Sequence, residues 1–164
     1  MDSVPTFVLT ARHLADLDAV MGETLHDGQY LTACYVRLHR RELRLSVVSA
    51  GHPPLIRVSS DGQRETVAAE GDPLGVFGSG VFERREISVQ AGDRFYLYTD
   101  GLIENHGTAG CARAAGLGCL LEACGRRHAL PLDRAVRAIV EDVKPEGRTR
   151  EDDLLLLGIE VRPS

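Results

Sequence analysis

The hydrophobic pattern of this chain changes period twice, and no other feature restricts its fold as much. From residue 5 to residue 22 apolar side chains recur at helical spacing: Leu14, Leu17 and Met21, with Phe7 and Thr10 extending the stripe. Asp2 or Ser3 is placed to cap that helix, and Pro5 suits its first turn. After "HDG" (26–28) the period falls to two. "YLTACYVRL" (30–38) and "LRLSVVSA" (43–50) are rich in β-branched and aromatic residues, and the polar link "HRRE" predicts a hairpin between them. "PLIRV" (54–58) and "RETVA" (64–68) flank Asp61-Gly62, a second hairpin signal. A loop punctuated by glycine and proline follows, "EGDPLGVFGSG" (70–80). "FERREISV" (82–89) alternates again, and "QAGD" (90–93) turns the chain into a strand at 94–99 that stops at Asp100-Gly101.

Beyond Gly101 the period returns to helical. Residues 117–127 and 132–143 are predicted as helices with "HALP" between them; the second carries Leu132, Ala135, Val136, Ile139, Val140 and Val143 on one side. "KPEGRTRED" (144–152) is a polar loop, and "LLLLGIEV" (154–161) is apolar on both faces, the pattern of a central strand covered on both sides. A helix, a run of strands, two helices and a last strand make an α+β chain with an antiparallel sheet, not an alternating βαβ chain. We expect one domain over residues 1–164, with strands in two layers and the helices outside.

Composition excludes several function classes. A net charge of −5 gives no surplus of Lys and Arg to neutralise phosphates, so nucleic acid is not an expected partner. No phosphate-binding glycine loop is present. The cysteines, Cys34, Cys111, Cys119 and Cys124, form no Cys-x-x-Cys pair and are expected as buried free thiols. No window approaches the ~18 apolar residues of a membrane span, and "MDSVPTFVLT" has no signal-peptide pattern. These features predict a cytoplasmic protein without a membrane partner.

Carboxylates are the remaining candidates for chemistry. Asp100 ends one strand, while Asp152 and Asp153 begin another. Antiparallel neighbours bring the end of one strand beside the start of the other. Carboxylates that close repel unless a cation lies between them, and an all-oxygen set suits Mg²⁺ or Mn²⁺. Spacing alone favours Asp100-Gly101 as a plain turn and Asp152-Asp153 as a solvated loop end, since Asp-Gly is a common turn dipeptide.

Five motifs in order add to that reading: "LTACYVRL", "SAGHPPLI" (49–56), "GDPLGVF" (71–77), "GDRFYLYTDGLIE" (92–104) and "DDLLLL" (152–157). Together they resemble the metal-dependent protein phosphatases of type 2C, in particular the bacterial branch typified by stage II sporulation protein E and the regulators of stress sigma factors. The resemblance implies a partial αββα fold of that type. It implies that Asp100 and Asp152 are Mn²⁺ or Mg²⁺ ligands, with Gly101 and Asp153 beside them. The implied activity is hydrolysis of phosphoserine on a regulatory protein resembling an anti-anti-sigma factor, by metal-activated water and with no covalent intermediate. A non-catalytic relative that keeps the fold as a binding or dimerising module is the alternative.

The 164 residues contain neither the family's Gly-Asp-x-x-Asp motif nor its Asp-Val-x-Gly-His-Gly motif, and Leu154 stands where a Thr usually follows the aspartate pair. From this we expect an incomplete domain with a weak metal site, negligible turnover on its own, and self-association. Among other candidates, His52 is expected to fix a turn, Glu104 to cap a helix start, and His106, Arg148 and Arg150 to lie near the substrate or in solvent.

Overall fold

The computed structural model describes residues 10–26, 28–104, 112–143 and 154–163. In chain order the elements are α1 (Ala11–Thr24), β1 (Ala33–His39), β2 (Arg44–Ala50), β3 (Leu55–Val58), β4 (Arg64–Val67), β5 (Arg84–Ser88), β6 (Arg94–Tyr98), a 3₁₀ turn (Asp100–Leu102), α2 (Ala112–Arg126), α3 (Leu132–Val143) and β7 (Leu156–Glu160). The fold is α+β with antiparallel sheets throughout, as the period changes predict. The chain forms two compact units, Met1–His52 with Ala68–Ser88, and Pro53–Val67 with Val89–Ser164.

The first unit holds a three-stranded sheet in the order β1-β2-β5. The turn at 40–43 closes the first predicted hairpin, with Leu43 at φ 47°. Helix α1 is capped by Thr10, whose N–H and hydroxyl both meet His13 Nδ1, at 3.1 and 2.7 Å. The expected caps Asp2 and Ser3 lie outside the described residues. The buried face of α1 carries Leu14 and Asp18, four residues apart, while Leu17 stays 37% exposed. The predicted Leu14–Leu17–Met21 stripe is therefore rotated: a carboxylate occupies the inner face, because it has backbone partners there. Asp18 accepts the N–H of Gly75 at 2.7 Å and of Gly80 at 2.8 Å, and so ties the glycine-rich loop to the helix. Leu14 packs with Val48, Ala50, Leu74 and Phe82.

Two of the sequence motifs meet in this unit. The Gly51 N–H donates to the Gly71 carbonyl at 2.9 Å. A Cβ on Gly71 would fall 1.9 Å from the Ser49 carbonyl oxygen, and one on Gly51, at φ +65°, would fall 2.7 Å from Pro73. "SAGHPP" and "GDPLG" need their glycines because each lets the other's backbone approach. At His52 the backbone carbonyl accepts from Ser49 Oγ at 3.3 Å.

The second unit holds a four-stranded sheet in the order β4-β3-β6-β7, with α2 and α3 packed on it. Gly62, at φ +86°, turns the second predicted hairpin. Ile56, Val58, Tyr96 and Tyr98 pack with Leu120, Ala123 and Cys124 of α2 and with Ala135, Ile139 and Val143 of α3. Those α3 residues recur at the predicted spacing of four. Helix α2 begins at Ala112, five residues before the predicted start, because glycines 116 and 118 dilute its apolar pattern.

Two expectations are corrected. β7 is an edge strand among the described residues, paired only with β6, and β3 and β6 are the two inner strands. Leu154 and Leu156 pack on the helices, whereas Leu155 and Leu157 remain 56% and 50% exposed. The cysteines are not uniformly buried: Cys124 is, Cys34 is partly so and Cys119 is exposed, while Cys111 lies outside the described residues. Burial pushes the Cys34 thiol up to about 11 and the Cys124 thiol up to about 12.

Candidate functional site

The C-terminal end of β6 is built by its pairing with β7. Tyr98 lies opposite Leu156 in an antiparallel ladder whose other end, Arg94 opposite Glu160, is locked by an ion pair at 2.7 Å. One residue past Tyr98, the Thr99 N–H donates to the Leu155 carbonyl at 3.1 Å, and the Leu155 N–H donates to Thr99 Oγ1 at 3.0 Å. The expected antiparallel neighbourhood of the two strand ends is thus present. It brings the residue just before Asp100 against the residue two places after Asp153.

At Asp100 the chain leaves the sheet. The Asp100 carbonyl accepts the N–H groups of Ile103 and Glu104 at 2.8 and 2.9 Å, which closes a 3₁₀ turn and buries Gly101, Leu102 and Ile103. Apolar residues at 102 and 103 hold the turn to the core, so the Asp100 side chain is left at the surface, 51% exposed. Arg113, from the first turn of α2, reaches it with Nη2 at 3.6 Å and reaches Glu104 Oε1 with the same nitrogen at 3.1 Å. Glu104 pairs with a cation from the first turn of α2.

The close approach of α2 depends on Gly116. A Cβ there would sit 1.9 Å from the Ile103 carbonyl oxygen. Beneath the turn, burial first and then the neighbouring Cys124 thiol keep the Tyr98 hydroxyl protonated, with Arg113 pulling the other way. Asp152, Asp153, His106, Arg148 and Arg150 lie outside the described residues. Among the described residues no group of three or more His, Cys, Asp or Glu is gathered as a cation site. Sequence reasoning missed Arg113 and Asp18. With the helix predicted to start at 117, Arg113 lay outside it, and nothing in the sequence pointed to its place in the first turn of α2.

Similarity to known proteins extends over most of the chain. The chain is 33% identical over 100 residues to the phosphoserine phosphatase RsbP of Bacillus subtilis, an overlap of 61% of this chain and 24% of that protein. It thus spans about a quarter of the length of that curated relative. It resembles the RsbU and RsbW domains of Rv1364c from Mycobacterium tuberculosis with a TM-score of 0.77 and 26% identity, covering 94% of this chain and 42% of that one. The Mn-presoaked phosphatase domain of SpoIIE from Bacillus subtilis superposes with a TM-score of 0.65 at 14% identity, over 93% of this chain and 66% of that one, which shows the shared fold. No described helix is long and apolar enough to cross a membrane. A model of the stage II sporulation protein E family matches residues 8–162. That span takes in all five ordered motifs and both strand ends, and the chain accordingly belongs to the stage II sporulation protein E family, with the fold of the PP2C-type phosphatase domains.

Proposed function

We propose that this chain contributes metal-dependent phosphoserine hydrolysis directed at a phosphorylated regulatory protein. The observation that carries the reading is the end of β6. Asp100 is presented at the surface by a buried turn, and the residue before it, Thr99, is hydrogen-bonded to Leu155, two places after Asp153 in the chain. The donor chemistry fits a hard divalent cation. Asp100 offers carboxylate oxygen, and among the described residues its one ion pair is the long contact to Arg113. Asp100 and Asp152 would hold Mn²⁺ or Mg²⁺, with Gly101 and Asp153 beside them. The cation, when bound, supplies an activated water and neutralises charge on the phosphoryl oxygens. The protein's own part is to hold the carboxylate rigidly where a solvent-borne phosphate can reach it. The name of the relative RsbP, a phosphoserine phosphatase, supports the substrate class.

The test is Mn²⁺ titration of the 164-residue chain and of Asp100→Asn, followed by electron paramagnetic resonance of free Mn²⁺. Binding in the millimolar range that is lost in Asp100→Asn is expected. Equal binding by both forms would place the site elsewhere. The same titration with a phosphoserine peptide present reports whether phosphate release follows Mn²⁺ occupancy. A homo-oligomeric state belongs to this proposal as well: β7 leaves an open edge with Leu155 and Leu157 half exposed, and edges of this kind pair with a second copy. Sedimentation as a monomer across a hundredfold concentration range would remove that part.

A further inference from the structure

Arg113 has a place in this site that neither the fold nor the metal reading requires. Its guanidinium carries a positive charge at the N-terminal turn of α2, where the helix dipole disfavours cations, so its carboxylate partners must offset that position. One nitrogen, Nη2, serves both partners and lies closer to Glu104, at 3.1 Å, than to Asp100, at 3.6 Å. Gly116, on the same face one turn along, packs against the Ile103 carbonyl and fixes where α2 starts relative to the turn. That contact fixes the backbone from which the Arg113 side chain extends, so the guanidinium can move between the two carboxylates while α2 stays in place. All three side chains are open to solvent, at 62% for Arg113, 51% for Asp100 and 42% for Glu104, so an ion can reach Asp100 while Arg113 stays tethered to Glu104.

We infer that Arg113 is a built-in counter-cation that shares Asp100 with the divalent metal and withdraws onto Glu104 when the metal binds. The inference rests on the reading of Asp100 as a metal ligand. It makes Arg113 a positioning residue that sets metal affinity and does not itself touch substrate. A competing charge at this distance and exposure is an ordinary surface ion pair, and its removal shifts an equilibrium constant by about two- to fivefold. Glu104 acts only as the place to which the guanidinium retreats. Without it, Arg113 should settle on Asp100 and weaken binding.

The experiment is the Mn²⁺ titration by electron paramagnetic resonance on the full chain, comparing the unaltered protein with Arg113→Gln, Arg113→Lys, Glu104→Gln and the Arg113→Gln/Glu104→Gln pair. Arg113→Gln is expected to tighten Mn²⁺ binding about two- to fivefold at low salt, and Arg113→Lys to leave it near the unaltered value. Glu104→Gln should weaken binding, and the double variant should match Arg113→Gln alone. Melting temperatures of all forms should agree, since each side chain is well exposed. Unchanged or weaker binding in Arg113→Gln, with Asp100→Asn still losing Mn²⁺, would overturn this inference and leave the metal reading standing. A double variant that binds more weakly than Arg113→Gln would make Glu104 a ligand and overturn the withdrawal. Indifference of Mn²⁺ to Asp100→Asn would overturn both.

Discussion

Strand β6 has an aspartate at each end, and the two are treated in opposite ways. Asp93, just before the strand, is 1% exposed, and its carboxylate accepts from Arg57 Nη2 at 2.7 Å, from the Gln90 N–H at 3.0 Å and from the Ser60 N–H at 3.2 Å. Asp100, just after it, is 51% exposed and among the described residues has Arg113 as its only charged partner, at 3.6 Å. Both stand beside a glycine, in "AGDR" and "YTDGL". At the first end the carboxylate is consumed in holding a turn to the β3–β4 hairpin. At the second the Asp100 carbonyl closes the turn, and the carboxylate stays at the surface, where the proposed cation would bind. A group whose bonding capacity is already filled by the fold has none to offer a ligand.

Removing each carboxylate in turn should have very different consequences. Asp93→Ala should cost about 2–4 kcal/mol, because it leaves a largely buried Arg57 with only the exposed Glu65 as partner and two backbone N–H groups without their acceptor. Asp100→Asn should alter stability by less than about 0.5 kcal/mol while removing metal binding. Urea unfolding of the two variants decides it. Equal costs would show that both ends are structural.

A smaller effect is expected from Gly116→Ala, which sharpens the account of the open end. The 1.9 Å approach of its Cβ to the Ile103 carbonyl forces α2 away from the turn, at about 1–3 kcal/mol. Because Arg113 moves with α2, the variant should also change Mn²⁺ affinity. A stability loss with unaltered affinity would separate the helix from the site.

The smallest is a pH effect at the same end. The Cys124 thiol is raised from 9.0 to about 12 by burial. The unfolded chain releases that proton above pH 9 and the folded chain keeps it. The unfolded state therefore binds fewer protons between pH 9 and 12, and stability falls as pH rises. The contribution is complete below pH 9 and declines by roughly 1.4 kcal/mol per unit above it. Unfolding midpoints at pH 8 and pH 10 measure this decline, and a flat profile would mean that the thiol reaches solvent.

Much of the molecule was legible in advance for identifiable reasons. Helix α3 matches its predicted span of 132–143, because Ala135, Ile139 and Val143 are separated by whole turns. Both hairpins and the turn at 90–93 follow from glycine and polar dipeptides between alternating runs. The strand neighbourhood of Thr99 and Leu155 follows from two apolar runs that need one another. Helix α2 was misjudged at its start because glycines 116 and 118 erase the period, although Gly116 is what lets the helix close on the turn. β7 was read as central from its continuous apolar run, yet hydrophobicity on both faces does not say what covers them.

Local pattern by itself determined which segments are helix or strand, where the chain turns, and that a carboxylate stands at the end of β6, since period and turn chemistry act over a few residues. Only the tertiary structure decided which aspartate is sealed and which is open. Asp93 meets Arg57 across 36 residues of chain, Thr99 meets Leu155 across 56, and Arg113 returns to Asp100 only because α2 can pack against Ile103. Charge and hydrogen-bond energies depend on distances in space, and those distances exist only once the core has brought the elements together.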